Sequence, residues 1–243
     1  MSEDLRGRVA LVTGASGGIG AGLARALAAA GCDVAVHYAG NTDAATRTAN
    51  AVRSTGARAM TVQADLADPN AASQLVAEVR ARLGDIDVLV PNAGVAARVS
   101  ALDEVDLELW QRTLAVNLTA PFLLAGAVLP GMAERGFGRI LFVSSVAAFT
   151  GGIVGPHYAA SKSGLHGMLY WLAGQYAERG ITVNAIAPAL VVSGMVSQDQ
   201  DASAIPVGRL GTVEDVTQLA VTMLTNSYLT GKVFLLDGGI RPQ

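Results

Sequence analysis

The stretch GPHYAASKSG, residues 155–164, holds a tyrosine and a lysine four residues apart, Tyr158 and Lys162. On a helix that spacing puts two side chains on one face, one turn apart. The chain has 17 basic residues, and only Lys162 and Lys232 among them are lysine. Arginine stays charged at every accessible pH, whereas lysine is a compact cation whose pKa responds to its surroundings. A tyrosine beside a fixed cation ionises more easily, which suits a phenol that gives and takes a proton. A second pair at the same spacing, Tyr228 and Lys232 in YLTGKVFLLDGG, is interrupted by Gly231 and runs into a β-like apolar segment. That pair predicts no helix and no shared face.

A different chemistry is written near the N-terminus. The apolar run RVALVT leads straight into TGASGGIG, residues 13–20, and then into a helical pattern. Gly14, Gly18 and Gly20 let the backbone turn tightly and bring a helix N-terminus up to a pyrophosphate. In folds specific for NAD an acidic residue usually follows the second strand and binds the adenosine ribose. Here that strand ends in HYAGN, with Tyr38 and Ala39 where the acid would fall and Asn41 able to donate to a 2′-phosphate. The arginine often found before the second glycine in NADP enzymes is missing, since Gly17 stands there. NADP(H) is the favoured cofactor and NAD(H) the alternative.

Both motifs need a scaffold. Strand-like runs begin at Arg8, Asp33, Arg58, Asp87, Arg139, Ile181 and Lys232, several of them almost continuously apolar, as in parallel strands covered on both faces. Helical patterns such as GLARALAAAG and NAASQLVAEVRARL alternate with them. This alternation predicts an α/β fold, a doubly wound parallel sheet with helices on both faces, as one domain over residues 1–243.

Composition narrows the classes further. A net charge of −3 offers no basic footprint, so no nucleic acid partner is expected. The single cysteine, Cys32, excludes an internal disulfide, fits a cytoplasmic location and reads as core packing. The opening MSEDLRGR has no apolar run behind it, so no signal peptide is expected. Residues 113–133 carry no charge, but Asn117, Thr119, Pro121, Gly126, Pro130 and Gly131 break the run. A buried helix, not a membrane span, is expected there.

With these residues together, the chain resembles the short-chain dehydrogenase/reductase family over essentially its whole length, and within it the 3-oxoacyl-(acyl-carrier-protein) reductases of fatty acid biosynthesis. TGASGGIG is similar to the family's TGxxxGxG, ADL places Asp65 at the adenine, PNAG stands for NNAG, Asn117 follows in AVNL, and YAASK is the YxxxK motif. Ser145 lies thirteen residues before Tyr158, the family's spacing for its catalytic serine. The resemblance implies a Rossmann fold and hydride transfer between a nicotinamide and a carbonyl or alcohol. Tyr158 would act as acid and base, Lys162 would lower its pKa and hold the nicotinamide ribose, and Ser145 would bind the substrate oxygen. Asn117 would extend a proton relay through a water. Moving a tyrosine from pKa ~10 toward neutrality requires roughly 4 kcal/mol, with Lys162 and a cationic nicotinamide as the sources. Cofactor contacts are implied for Gly14, Ser16, Gly17, Gly18, Ile19, Gly20, Tyr38, Ala39, Asn41, Asp65, Leu66, Asn92, Ala93 and Gly94. Tyr158, Lys162, Pro188, Val191 and Ser193 complete that set, and no metal is implied.

Other readings stand beside these. Ser144 could cap the strand end, Asn117 could mend a helical irregularity, His157 reads as a loop residue, and Trp110, Trp171 and the methionines read as packing. Pro91 replaces the first asparagine of NNAG and cannot donate from its backbone, so the local ladder must differ. Arg179 and Arg135 fall at or near basic positions that the subgroup uses against an acyl carrier protein, a possible partner. The apolar helices around 119–133 and 165–176 predict pairing with their copies across two-fold axes, and the family resemblance implies a homotetramer. The polar segment 194–204 predicts a short lid. The expected reaction is NADPH-dependent reduction of a 3-oxoacyl thioester or similar β-keto compound. The alternatives are a general carbonyl reductase or secondary alcohol dehydrogenase and, from another class, a catalytically inactive dinucleotide-binding sensor.

Overall fold

In the computed structural model, which describes residues 4–193, 199 and 201–240, seven strands form one parallel sheet in the order β3-β2-β1-β4-β5-β6-β7. The strands are β1 (Val9–Val12), β2 (Asp33–Tyr38), β3 (Ala59–Gln63), β4 (Ile86–Val90), β5 (Gly138–Val143), β6 (Ile181–Pro188) and β7 (Val233–Leu236). Each coincides with one of the apolar runs read from the sequence. Strand alternation sends Val9 and Leu11 into the core on one face and Ala10 and Val12 into the core on the other. That is why such runs have no polar side.

Helices α1 (Gly18–Ala29), α2 (Thr42–Arg53) and α8 (Val213–Thr225) pack on the face holding Leu23, Ala45 and Val216. The opposite face receives α3 (Ala71–Arg82), α5 (Ala120–Arg135) and α7 (Pro156–Tyr176) through Leu75, Leu124 and Leu165. The short helices α4 (Leu107–Leu114) and α6 (Ala147–Thr150) flank the C-terminal ends of the strands. Strand order reverses between β1, which leads on to β2, and β4, which leads on to β5. A crevice opens at the C-terminal ends of the strands at such a reversal.

Between α4 and α5 the helix does not stop. Residues Ala115–Thr119 form one π-helical turn, so Leu107–Arg135 is a continuous helix. By length and composition it could cross a membrane, with a mean hydropathy of 1.6 over its most apolar window. Its inward face is instead core, where Leu124, Val128 and Met132 are buried. Its outward face leaves Phe122 60% exposed, beside Trp171 on α7 at 63%. Trp171, expected as a packing residue, packs against no core of its own chain, because α7 turns that side away from the sheet. Cys32 is core as expected, and burial pushes its thiol up to about 12.

Candidate active site

The chain leaves β1 through Thr13 and turns at Gly14, whose φ of +62° favours glycine. A side chain there would bring its Cβ to 2.8 Å from the Ala93 Cα, so the turn and the loop after β4 touch directly. Thr13 staples the two. Its Oγ1 accepts from the backbone N–H groups of Asn92 at 2.9 Å and Ala93 at 3.0 Å. Asn92 Nδ2 donates back to the carbonyls of Thr13 at 2.9 Å and Gly14 at 3.2 Å. Pro91 costs this junction nothing: it lies past the end of β4, and its carbonyl still accepts from Val143 N at 3.2 Å.

His37 supports the same turn from the other side. Its Nδ1 accepts from Gly14 N–H at 3.1 Å, so the proton sits on Nε2 and is donated to the Ala64 carbonyl at 3.1 Å. Burial holds its pKa below the ordinary histidine value, which keeps this neutral tautomer. The sequence reading had placed Tyr38 at the cofactor. Alternation along β2 instead turns His37 and Ala39 toward the crevice and Tyr38 into the core, 7% exposed.

The crevice is a cavity of about 570 Å³ running from this turn to α7. All the residues implied for the cofactor line it except Tyr38 and Gly20. Gly20 lies in α1, where a Cβ would strike the Gly14 carbonyl, so this glycine serves close packing of helix on turn. Lining residues that the sequence reading missed include His37, Gly40, Ala64, Val95 and Arg112. Arg112 Nη2 lies 3.6 Å from Asp65 Oδ2, across the adenine end expected for Asp65. The parity of β2 was the one sequence signal that could have found His37.

At the far end stand Ser145, Tyr158 and Lys162. Tyr158 and Lys162 project from consecutive turns of α7, as their spacing required. Ser145 follows β5 and lines the cavity with Tyr158, its hydroxyl favouring the ionised phenol, while its Oγ accepts from Ala147 N–H at 3.1 Å. Ser144, by contrast, contacts His166 Nε2 at 2.8 Å and is buried. Adjacent serines thus split the tasks: one faces the phenol and the other packs beneath α7.

The electrostatics correct one expectation. Lys162 and a cationic nicotinamide were expected to pull the Tyr158 pKa down, yet in the chain alone withdrawal from water pushes the phenol above its ordinary value, and the nearby Ser145 hydroxyl offsets only part of this. The ammonium lies 5.7 Å from the Tyr158 ring centroid and donates to the Val143 carbonyl at 2.8 Å. It is also buried, which brings its own pKa down to about 8. Two groups sharing one dry site are each driven toward their neutral forms.

Asn117 sits in the π-helical turn, buried, and does not line the cavity. Its Oδ1 accepts from Val95 N–H at 2.8 Å, and its Nδ2 donates to the Val95 carbonyl at 3.0 Å and to Ser161 Oγ at 3.1 Å. The amide clamps the loop after β4 beside Lys162, and only the second lone pair of Oδ1 remains for a water. A Cβ on Gly94 would lie 3.3 Å from that Oδ1 and 3.7 Å from Lys162 Nζ, so the glycine keeps the space beside the lysine open.

His157 is not a loop residue. It lies in the first turn of α7, fully buried, with Nε2 3.0 Å from the Ala97 carbonyl. Arg135 is tied to Asp85, Asp87 and the Ile86 carbonyl, so it is not a free docking cation. Arg179 remains exposed at the end of a short 3-10 turn. Most of the expected lid, 194–198 and 200, lies outside the described residues. Among the described residues no cluster of metal-ligating side chains occurs.

Known proteins resemble this chain over nearly its whole length. A family model for short chain dehydrogenases matches residues 8–204. The 3-oxoacyl-[acyl-carrier-protein] reductase of Synechocystis sp. is 38% identical over 242 residues, spanning 97% of this chain and 98% of the relative. The 2-dehydro-3-deoxy-D-gluconate 5-dehydrogenase of Pseudoalteromonas atlantica is 36% identical over 245 residues, spanning 97% and 96%. A blue fluorescent protein from a metagenomic library, crystallised in complex with NADPH, superposes with a TM-score of 0.91 at 37% identity, covering 99% of this chain and 100% of that one.

Proposed function

This chain belongs to the short-chain dehydrogenase family, whose members interconvert carbonyls and alcohols, and we propose that it reduces a carbonyl to a secondary alcohol with NADPH. One observation carries the reading. Ser145 and Tyr158, with Lys162 one turn along, line one end of a cavity whose other end is the glycine-rich turn. NADP(H) fits that cavity, because Gly17 has open space where a side chain would stand, Gly94 keeps the space beside Lys162 clear, and no carboxylate lines the cavity at the end of β2 to repel a 2′-phosphate. NADPH is held by a solved relative of closely matching fold, which supports the same cofactor here.

Bound NADPH supplies the hydride. Everything else is done by side chains. Tyr158 holds a proton on Oη, and its raised pKa keeps the phenol protonated at neutral pH, the form required of an acid in reduction. Ser145 Oγ, already beside that hydroxyl, donates to the same substrate oxygen as negative charge develops there. Lys162 places its charge near the incipient phenolate, and with a pKa of about 8 it can pass on a proton near neutrality, which arginine could not. Asn117 keeps residues 94 and 95 from closing over the lysine.

The substrate we favour is a 3-oxoacyl thioester or a similar β-keto compound, supported by the carrier-protein reductase among the relatives. Exposed Arg179 offers one cation toward an acyl carrier protein. The second reading, a carbonyl reductase or alcohol dehydrogenase for a small substrate, is favoured by the relative named for a gluconate derivative at nearly equal identity. An inactive sensor would have no use for Ser145, Tyr158 and Lys162 converging on one cavity. We also infer a cytoplasmic homotetramer. Phe122, Trp171, Leu118, Thr119 and Met168 surround a shallow apolar hollow on α5 and α7 that a second copy would cover.

The test is a panel of acetoacetyl thioesters, simple ketones and sugar-derived ketones, each assayed with NADPH and NADH. A higher kcat/KM for the thioesters supports the first reading, and a preference for the small ketones supports the second. Reduction of none of them, with no NADP+ bound, would overturn both.

A further inference from the structure

A 2′-phosphate carries close to two negative charges near neutral pH, and the main cavity is poor in cations to meet it. Gly17 and Ala39 supply none, Lys162 lies at the opposite end, and Arg112 faces Asp65. A second cavity of about 410 Å³ adjoins the first, because Ser16, Gly17, Gly18 and Ser193 line both. Arg25 on α1 and Arg47 on α2 also line it. Their placement follows from helical spacing. Ala21 and Arg25 share one face of α1, Ala44, Arg47 and Thr48 share one face of α2, and the two faces flank the same groove.

What sets this pair apart is that both line one groove without a carboxylate partner; among the described residues Arg53, Arg98 and Arg179 also lack an ion pair, but they stand outside the groove. Arg6, Arg8, Arg58, Arg80, Arg82, Arg112, Arg135 and Arg209 each lie within ion-pair distance of a carboxylate. Among the described residues neither Arg25 nor Arg47 does, and no carboxylate lines the groove; Asp43, in the first turn of α2, lies outside it. Thr48 has its hydroxyl committed to the Ala44 carbonyl, so the arginines are the strong donors there. At the rim, Asn41 caps α2 by accepting from Ala44 N–H, which leaves its Nδ2 hydrogens free to donate.

We propose that Arg47, assisted by Arg25, binds the adenosine 2′-phosphate of NADP(H) and sets the preference over NAD(H). This inference rests on the NADP(H) reading above. It places the counter-charge between α1 and α2, displaced from both the glycine-rich turn and the end of β2. An arginine fork gives a phosphate two parallel hydrogen bonds, and removing one such charged donor lowers affinity about ten- to hundredfold.

The experiment measures dissociation constants of NADP+, NAD+ and 2′,5′-ADP by calorimetry for the wild type, Arg47→Ala, Arg25→Ala, the double variant and Arg47→Lys. All four replace exposed side chains, so the fold should survive, and circular dichroism checks it. Expected are a loss of about tenfold or more in NADP+ and 2′,5′-ADP affinity for Arg47→Ala, a smaller loss for Arg25→Ala, and partial rescue by Arg47→Lys. NAD+ affinity should stay within about twofold, because NAD+ lacks the phosphate that these side chains meet. Equal losses for NADP+ and NAD+ would put the arginines on the pyrophosphate and overturn the proposal, as would wild-type discrimination in the double variant. Wild-type protein that binds NAD+ as tightly as NADP+ would overturn the cofactor reading itself, which no variant result can mimic.

Discussion

The chain contains the same four-residue spacing twice, and the two copies have opposite fates. Tyr158 and Lys162 lie on α7, where the lysine is 4% exposed and the tyrosine meets Ser145 at the end of the main cavity. Tyr228 and Lys232 bracket a turn: Tyr228 follows the end of α8 and is 98% exposed, and Gly231, at a φ of +70°, separates it from the start of β7. Spacing creates a shared face only where the backbone is helical. A shared face becomes a site only where burial removes the water that would otherwise screen both groups. The first pair has both conditions and the second has neither.

The sharpest way to break this contrast is to remove one oxygen from the buried pair. Tyr158→Phe should lower kcat by at least about a thousandfold, since the proton donor disappears and only weaker general catalysis by water remains. NADP+ affinity should change by no more than a few-fold, because the ring stays in place. Retention of more than a tenth of wild-type turnover would remove Tyr158 from the mechanism.

Lys162 gives the next largest effect, in activity and in the pH dependence of stability. Its folded-state pKa, about 8, lies below the usual lysine value, so between pH 8 and about 10.5 the unfolded chain binds the extra proton. Stability contributed by this group therefore rises with pH across that window. Below it the cost of burying the charge, about 3 kcal/mol, is felt in full. Cys32 and Tyr158 act in the opposite direction, because their raised pKa values make stability fall once the unfolded groups ionise. The difference between wild type and Lys162→Met isolates the lysine. Chemical denaturation at several pH values should show the wild type gaining relative to Lys162→Met as pH rises above 8. Parallel profiles for wild type and Lys162→Met would mean that the lysine is not titrating as a buried group.

Helix α7 also carries the surface expected to join copies of the chain. Trp171→Glu places a charge at the apolar hollow shared with Phe122 and Met168. Replacing a tryptophan anchor by a charge should weaken assembly by about 2 kcal/mol or more, roughly thirtyfold in dissociation constant. Sedimentation velocity should then show smaller species at concentrations where the wild type is assembled. Unchanged mass for the variant would place the contact elsewhere.

Much of this architecture could be read in the sequence, and what was missed has physical causes. Apolar runs gave all seven strands; the five inner ones are buried on both faces, which no alternative structure would hide as well, while the edge strands β3 and β7 are partly exposed. The glycine-rich turn and the YAASK segment named the two ends of the cavity. Parity was lost at the end of β2, where Tyr38 looked like the cofactor contact and His37 holds the turn, since a one-residue slip exchanges the faces of a strand. The direction of the Tyr158 shift was misread because charge spacing is visible in a sequence and desolvation is not. Composition marks Trp171 as a packing residue but does not say whether the packing is within the chain or between copies. Nothing in the sequence joins Arg25 to Arg47: they are 22 residues apart, and only the packing of α1 against α2 brings them to one groove.

The smallest effect belongs to the exposed pair, and it is the control on everything above. The Tyr228 hydroxyl has no hydrogen-bond partner among the described residues, and its ring is almost wholly in solvent. Its backbone N–H donates to Asn226 Oδ1 at 3.0 Å, a bond that a change of side chain leaves intact. Tyr228→Phe should therefore keep kcat, KM and the pH profile within about twofold, and stability within about 0.5 kcal/mol. A Tyr228→Phe protein as slow as Tyr158→Phe would show that spacing alone had been mistaken for a site. A change in assembly without a change in rate would instead place Tyr228 at a contact between copies, with its exposure a property of the single chain.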